Sequence, residues 1–112
     1  MRRVTAIVRP TRLEPALCAL ARAGVGATVS EVRGLGRQKG RRELHRGKGF
    51  AEDLVPRRKI ECVVPEDRLL DVVRALACAA RTGRVGDGKL WIDGVAEAVR
   101  IPSGERGEAA LG

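Results

Sequence analysis

The sequence predicts an α+β domain built from a doubled strand-helix-strand unit. Three observations carry the prediction. Two β-branched runs are each closed by a proline, each is followed by leucines or valines at helical spacing, and 112 residues are too few for a second independent core. Val4-Thr-Ala-Ile-Val8 reads as the first strand, which Pro10 closes because proline cannot donate to a ladder. Leu13, Leu17 and Leu20 then recur at helical spacing among the strong helix formers Ala16, Ala19, Ala21 and Ala23, and Gly24 and Gly26 supply the stop. Thr28 to Arg33 has strand composition and ends at Gly34 and Gly36.

The pattern then repeats. Ile60 to Val64 is a strand closed by Pro65, Leu69, Val72, Val73 and Leu76 form a helical stripe ending near Gly83, and Leu90-Trp91-Ile92 is a last strand. The segment Ile7-Val8-Arg9-Pro10 echoes Cys62-Val63-Val64-Pro65, and Ala19-Leu20 echoes Ala75-Leu76. Two such units give a four-stranded antiparallel sheet with two helices on one face, the ferredoxin-like plan, as a single domain over 1–112. The strands read as nearly continuous apolar runs, so the second sheet face is expected to be buried against further copies in a closed homo-oligomer.

Hydrophobic residues make up 44% and charged residues 32%, the balance of a globular chain and not of a disordered one. No apolar run approaches the roughly 20 residues that cross a bilayer, and the N-terminus lacks a cleavage-like signal, so neither membrane insertion nor export is expected. Cys18, Cys62 and Cys78 are odd in number, widely spaced and joined by a single histidine. That excludes a disulfide frame and a zinc site, points to the reducing cytoplasm, and reads all three as small buried hydrophobes. A net charge of +8 predicts attraction to anions without choosing among nucleic acid, acidic surfaces and phosphorylated small molecules.

Three segments carry the chemistry. Gly36 to Phe50 is rich in glycine and cations with no hydrophobic period, and a stretch this long between elements is a contact arm more often than an idle loop. Thr82-Gly-Arg-Val-Gly-Asp-Gly-Lys89 interleaves glycines with cations between a helix and a strand; glycines allow successive N–H groups to form an anion nest, which Arg84 and Lys89 complement. It is not a Walker motif, because the Gly-Lys pair opens a strand and lacks the metal-holding hydroxyl. A tight turn alone accounts for these glycines about as well. The third is the polar tail around 99–108. Catalytic constellations are absent: His45 stands alone in the long insertion, and no Ser or Cys has a base at a recognisable spacing, so no enzyme is expected.

Three ordered blocks are similar to the PII nitrogen-regulatory signalling proteins. They are Gly34-Leu-Gly-Arg-Gln-Lys-Gly40 followed by Glu43-Leu44 and Arg46-Gly47, then Thr82 to Lys89, then Val99-Arg-Ile101 before Gly104-Glu105. The resemblance implies a ferredoxin-like homotrimer with a long T-loop at about 36–55, a nucleotide loop at 82–89 and a C-terminal loop at 99–108. It implies ATP or ADP in the clefts between subunits, with 2-oxoglutarate beside ATP and Mg²⁺. Carried over by position, Gly36, Arg37, Gln38, Gly86, Asp87, Gly88, Lys89 and Arg100 are nucleotide contacts. Gln38 helps hold Mg²⁺ and 2-oxoglutarate, its amide oxygen suiting a hard cation, and Arg57 stands for the lysine that meets a 2-oxoglutarate carboxylate. Arg46, His45 and Phe50 lie where the arm meets partners such as an ammonium transporter or a nitrogen-metabolism enzyme.

The departures are specific. Phe50 occupies the place of the tyrosine that is uridylylated in many bacterial members, and the chain has no tyrosine, so that modification is excluded. Lys48 stands where some members carry a phosphorylatable serine, and Pro102 where a second tail arginine is common. An RNA-binding module on the same plan is the competing reading. It is disfavoured because such modules stack bases on sheet aromatics, and only Phe50 and Trp91 are present.

Overall fold

A computed structural model describes residues 1–35 and 54–112. The sequence-predicted insertion therefore lies, except for its C-terminal end, outside the described residues. Six principal elements follow in order: β1 (Arg2–Val8), α1 (Leu13–Arg22), β2 (Thr28–Gly34), β3 (Val55–Val64), α2 (Leu69–Ala80) and β4 (Gly88–Gly94). They form one antiparallel sheet in the order β2-β3-β1-β4, the ferredoxin-like arrangement, with both helices packed on one face.

The core is the product of two periodicities meeting. Val4, Ala6 and Val8 alternate on β1 and stand across from Cys62, Ile60 and Arg58 of β3. Ala16 and Leu20 of α1 and Val72 and Leu76 of α2 recur every four residues and close over the buried strand positions. Burial pushes the Cys62 thiol above its ordinary value, so it behaves as an apolar filler. Cys18 and Cys78 are exposed on the helices, which corrects the expectation that all three are buried.

The internal repeat extends to single residues. A short 3₁₀ turn precedes each helix, Pro10–Arg12 and Glu66–Arg68, and at a constant offset Arg12 matches Arg68, Leu20 matches Leu76 and Ala23 matches Ala79. Pro10 and Pro65 miss this register by one position, because Pro10 opens its turn while Pro65 caps its own. Each arginine reaches the far end of the other helix. Arg12 donates through Nε and Nη2 to the Ala79 carbonyl at 2.9 and 2.7 Å, and Arg68 donates to the Ala23 carbonyl. The helices therefore run antiparallel, and each negative helix end receives a guanidinium from the opposite half.

The second sheet face carries polar and apolar side chains together. It presents Arg3, Thr5 and Ile7 of β1 between Val63, Glu61 and Lys59 of β3 and Asp93, Trp91 and Lys89 of β4. Arg3 pairs with Asp93 at 2.6 Å and Lys59 with Glu61 at 2.9 Å, while Thr5 is buried beneath its neighbours. The face is thus a mixed polar surface with ion pairs, because alternation sends the apolar majority of β1 and β3 to the helices. β3 also begins five residues before Ile60, at Val55, since both neighbours extend its ladder, and α2 stops at Ala80 before the glycines. The tail is a tight turn and not a frayed end: Val99 bridges Arg106, the Arg100 amide donates to the Glu105 carbonyl at 2.8 Å, and the Glu97 carboxylate accepts the Gly107 amide at 3.1 Å.

Candidate functional site

The site begins where β4 meets β1. The ladder pairs Ile7 with Lys89 and Val8 with Gly88. Gly88 has φ +99°, and a Cβ there would lie 1.8 Å from the Ile7 carbonyl oxygen, so only glycine lets the two backbones approach. The same register carried one step further places Arg9 opposite Asp87, and Arg9 Nε donates to the Asp87 carboxylate at 3.0 Å.

Asp87 is the organiser of the glycine-rich turn. Its carboxylate accepts the Thr82 amide at 2.8 Å, the Gly83 amide at 2.9 Å and the Thr82 hydroxyl, in addition to Arg9. These donors, the Thr82 hydroxyl and amide foremost, hold it well below the usual carboxylate range. The first amides of the sequence-predicted nest are therefore already filled by an anion of the chain's own. Arg9 Nη2 also donates to the Val85 carbonyl at 2.7 Å, so the guanidinium grips the turn on both sides of Gly86.

A cleft of about 660 Å³ opens beside this turn, lined by Ile7, Gly34, Leu35, Val55, Arg57, Val85, Gly86, Gly88, Lys89 and Trp91. Its chemistry is cationic on an apolar floor. Arg57 Nη2 and Arg9 Nη2 lie 3.4 and 3.2 Å from where a Gly86 Cβ would be, so two guanidinium groups flank a backbone with no side chain to shield it. A second, smaller cavity of about 190 Å³ lies on the other side of the same turn, between the end of α2 and β1 and β4; apolar Val8, Leu76, Ala77, Ala80 and Leu90 wall most of it, with Arg81, Asp87, Gly88 and Lys89 along its edge.

Of the residues singled out in the sequence, the structure brings Arg57, Gly86, Gly88 and Lys89 together, and turns the Asp87 carboxylate into the turn. Arg100 sits on the tail turn, with its Nε 3.7 Å from Glu105, and does not line this cleft. Gly36, Arg37, Gln38, His45, Arg46 and Phe50, and with Gln38 the metal position, lie outside the described residues. Among the described residues no group of three or more His, Cys, Asp or Glu could hold a metal ion. Sequence reasoning missed Arg9 and Trp91. The signal for Arg9 was the β1–β4 register, which cannot be read from one strand alone.

The fold is a ferredoxin-like α+β domain whose cation-lined cleft stands at the root of the long insertion. The family described as nitrogen regulatory protein P-II matches residues 1–105. The chain is 45% identical over 112 residues to the nitrogen regulatory protein P-II of Cereibacter sphaeroides and 44% identical to P-II 1 of Escherichia coli K12, in each case covering 99% of this chain and the whole of the relative. Its fold superposes on the Arabidopsis thaliana PII protein bound to citrate with a TM-score of 0.81 at 36% identity, covering 97% of this chain and 90% of that one. The chain belongs to the PII nitrogen-regulatory family, whose members are regulatory signalling proteins and not enzymes.

Proposed function

We propose that this regulator binds ATP or ADP in the cleft beside the glycine-rich turn, with Mg²⁺ and 2-oxoglutarate joining ATP, and that the segment at about 36–55 carries the ligand state to a partner. The observation that carries the reading is the convergence of Arg57, Lys89, Gly86 and Gly88 on a cleft whose other wall is Gly34, Leu35 and Val55, the two ends of the insertion. An anion in the cleft therefore sits where the arm leaves and rejoins the sheet. The citrate in the Arabidopsis relative supports a site for small polyanions in this fold.

In this reading Lys89 and Arg57 neutralise phosphate and carboxylate charge, and the amides around Gly86 and Gly88 hold oxygens at close range. Gly36, Arg37 and Gln38 close the site from the arm, with Gln38 giving Mg²⁺ an oxygen ligand. Arg100 comes from the tail of a neighbouring copy, since within one chain it stands outside the cleft, and a homotrimer supplies that neighbour. The arm then shifts between states by as much as the ligand prefers one of them, and Arg46, His45 and Phe50 meet an ammonium transporter or a nitrogen-metabolism enzyme in the cytoplasm. No helix among the described residues is long and apolar enough to cross a membrane. RNA binding has little to support it, since Trp91 is the one aromatic side chain among the described residues.

Calorimetric titration with MgATP, with and without 2-oxoglutarate, tests the site. Saturable heat is expected, and Lys89→Ala weakens binding at least about 10-fold while leaving the unfolding midpoint in place, because it removes a charge-assisted contact and no core atom. No heat from the native protein in either titration overturns the assignment.

A further inference from the structure

Asp87 stands between Gly86 and Gly88 of the cationic cleft, and its geometry is that of an internal ligand. A carboxylate offers about four acceptor sites, and here the Thr82 amide, the Thr82 hydroxyl, the Gly83 amide and Arg9 Nε all converge on it. Its capacity is filled from within the chain, and a second anion placed against it would meet repulsion. Arg9 is equally committed. One nitrogen holds Asp87 and another holds the Val85 carbonyl at 2.7 Å, so the guanidinium spans Gly86, whose φ of +98° leaves it no side chain to fix its orientation.

We propose that Arg9 and Asp87 form a clasp that positions the glycine-rich turn for the anion, and that the Asp87 carboxylate touches no ligand. The clasp does three things at once. It replaces a ligand anion in the first part of the nest, so the amides of Thr82 and Gly83 are ordered before anything binds. It offsets the charge of Arg9, leaving Arg57 and Lys89 as the cations of the described cleft lining that face the ligand. It ties the turn to the end of β1, where Gly88 already presses on Ile7, so ligand binding does not have to supply the entropy of ordering the loop. The inference rests on the cleft being an anion site only for its binding readout; the ordering of the turn is measurable without any ligand.

The test uses the full chain and the variants Asp87→Asn, Asp87→Ala and Arg9→Lys. Asp87→Asn keeps the shape but loses the charge, and Arg9→Lys keeps the charge but cannot span Asp87 and Val85 with a fork. Hydrogen exchange at the Thr82 and Gly83 amides and the Arg9 Nε resonance report the clasp, MgATP calorimetry reports its consequence, and the thermal midpoint reports global damage. In all three variants the two amides are expected to exchange at least about 10-fold faster and MgATP to bind about 10-fold more weakly, with the midpoint lowered only modestly and unfolding still cooperative. The proposal is overturned if Asp87→Ala loses MgATP binding while amide exchange and the Arg9 resonance stay native, which makes Asp87 a direct contact. Native exchange and native affinity in Asp87→Asn and Arg9→Lys overturn it as well. Should the native protein bind no MgATP, the site assignment fails, and the exchange measurement alone still decides whether the clasp exists.

Discussion

The two halves of the molecule, β1-α1-β2 and β3-α2-β4, spend the same pattern differently. Their helices bury equivalent residues, Ala16 with Leu20 and Val72 with Leu76, and each helix end is met by the arginine that precedes the other half's helix. They diverge where the helix hands over to the next strand. The first half turns through Gly24, φ +72°, whose added Cβ would meet nothing within 4 Å. The second half inserts the Asp87-clasped turn, with Gly83, Gly86 and Gly88 all at positive φ and Gly88 against the backbone of β1. Duplication makes a scaffold; the elaborated handover makes the candidate site.

That contrast can be broken most forcefully at the glycines. Gly88→Ala is expected to cost about 4 kcal/mol, from backbone strain plus collision with the Ile7 carbonyl, and to unpair the start of β4. Gly24→Ala is expected to cost about 1 kcal/mol, the strain alone. Urea denaturation of the two variants reads the difference directly, and equal costs would mean that the handovers are not physically distinct.

Next in size are the paired leucines. Leu20 and Leu76 are both 1% exposed, so Leu20→Ala and Leu76→Ala are each expected to lose about 3 kcal/mol, matching within about 1 kcal/mol if the two halves share one core. A cost confined to one of them in the same denaturation experiment would show that one half carries the stability.

Smaller again are the crossed arginines. Arg12→Ala and Arg68→Ala each remove a charged donor from the carbonyls at a helix end, and about 1 kcal/mol is expected from either in thermal unfolding. Arg68→Lys should recover part of that loss, because an ammonium still complements the helix end without the fork.

The finest comparison uses pH. The Asp87 pKa is lowered on folding by the Thr82 hydroxyl and amide, so its contribution is complete above its unfolded value near 4 and is lost as pH falls toward the folded value. The native chain should keep a higher unfolding midpoint than Asp87→Asn at neutral pH, and the gap should close progressively below about pH 4. A gap that persists unchanged in acid would mean that the carboxylate charge plays no part in the turn.

Much of the scaffold was legible because helix and strand periodicities are local. Leu13, Leu17 and Leu20, and Leu69, Val72, Val73 and Leu76, announce their helices within a few residues, and the glycines and cations of 82–89 announce a turn that can meet an anion. Which residues share the second sheet face was not legible. Short apolar runs such as Ile60-Glu-Cys-Val-Val64 look buried on both sides until cross-strand partners assign each residue to a face.

By itself the sequence determined the doubled unit, the family, the absence of a tyrosine and the candidates Gly86, Gly88 and Lys89, because these depend on residue type and spacing along the chain, and the family resemblance added Arg57. Only the tertiary structure decided that Arg9 belongs with them, that Asp87 turns inward to hold Thr82 and Gly83, and that Arg12 and Arg68 cross between halves. Those are contacts between residues far apart in the chain, and register and helix direction, which no single segment encodes, bring their atoms within hydrogen-bonding distance.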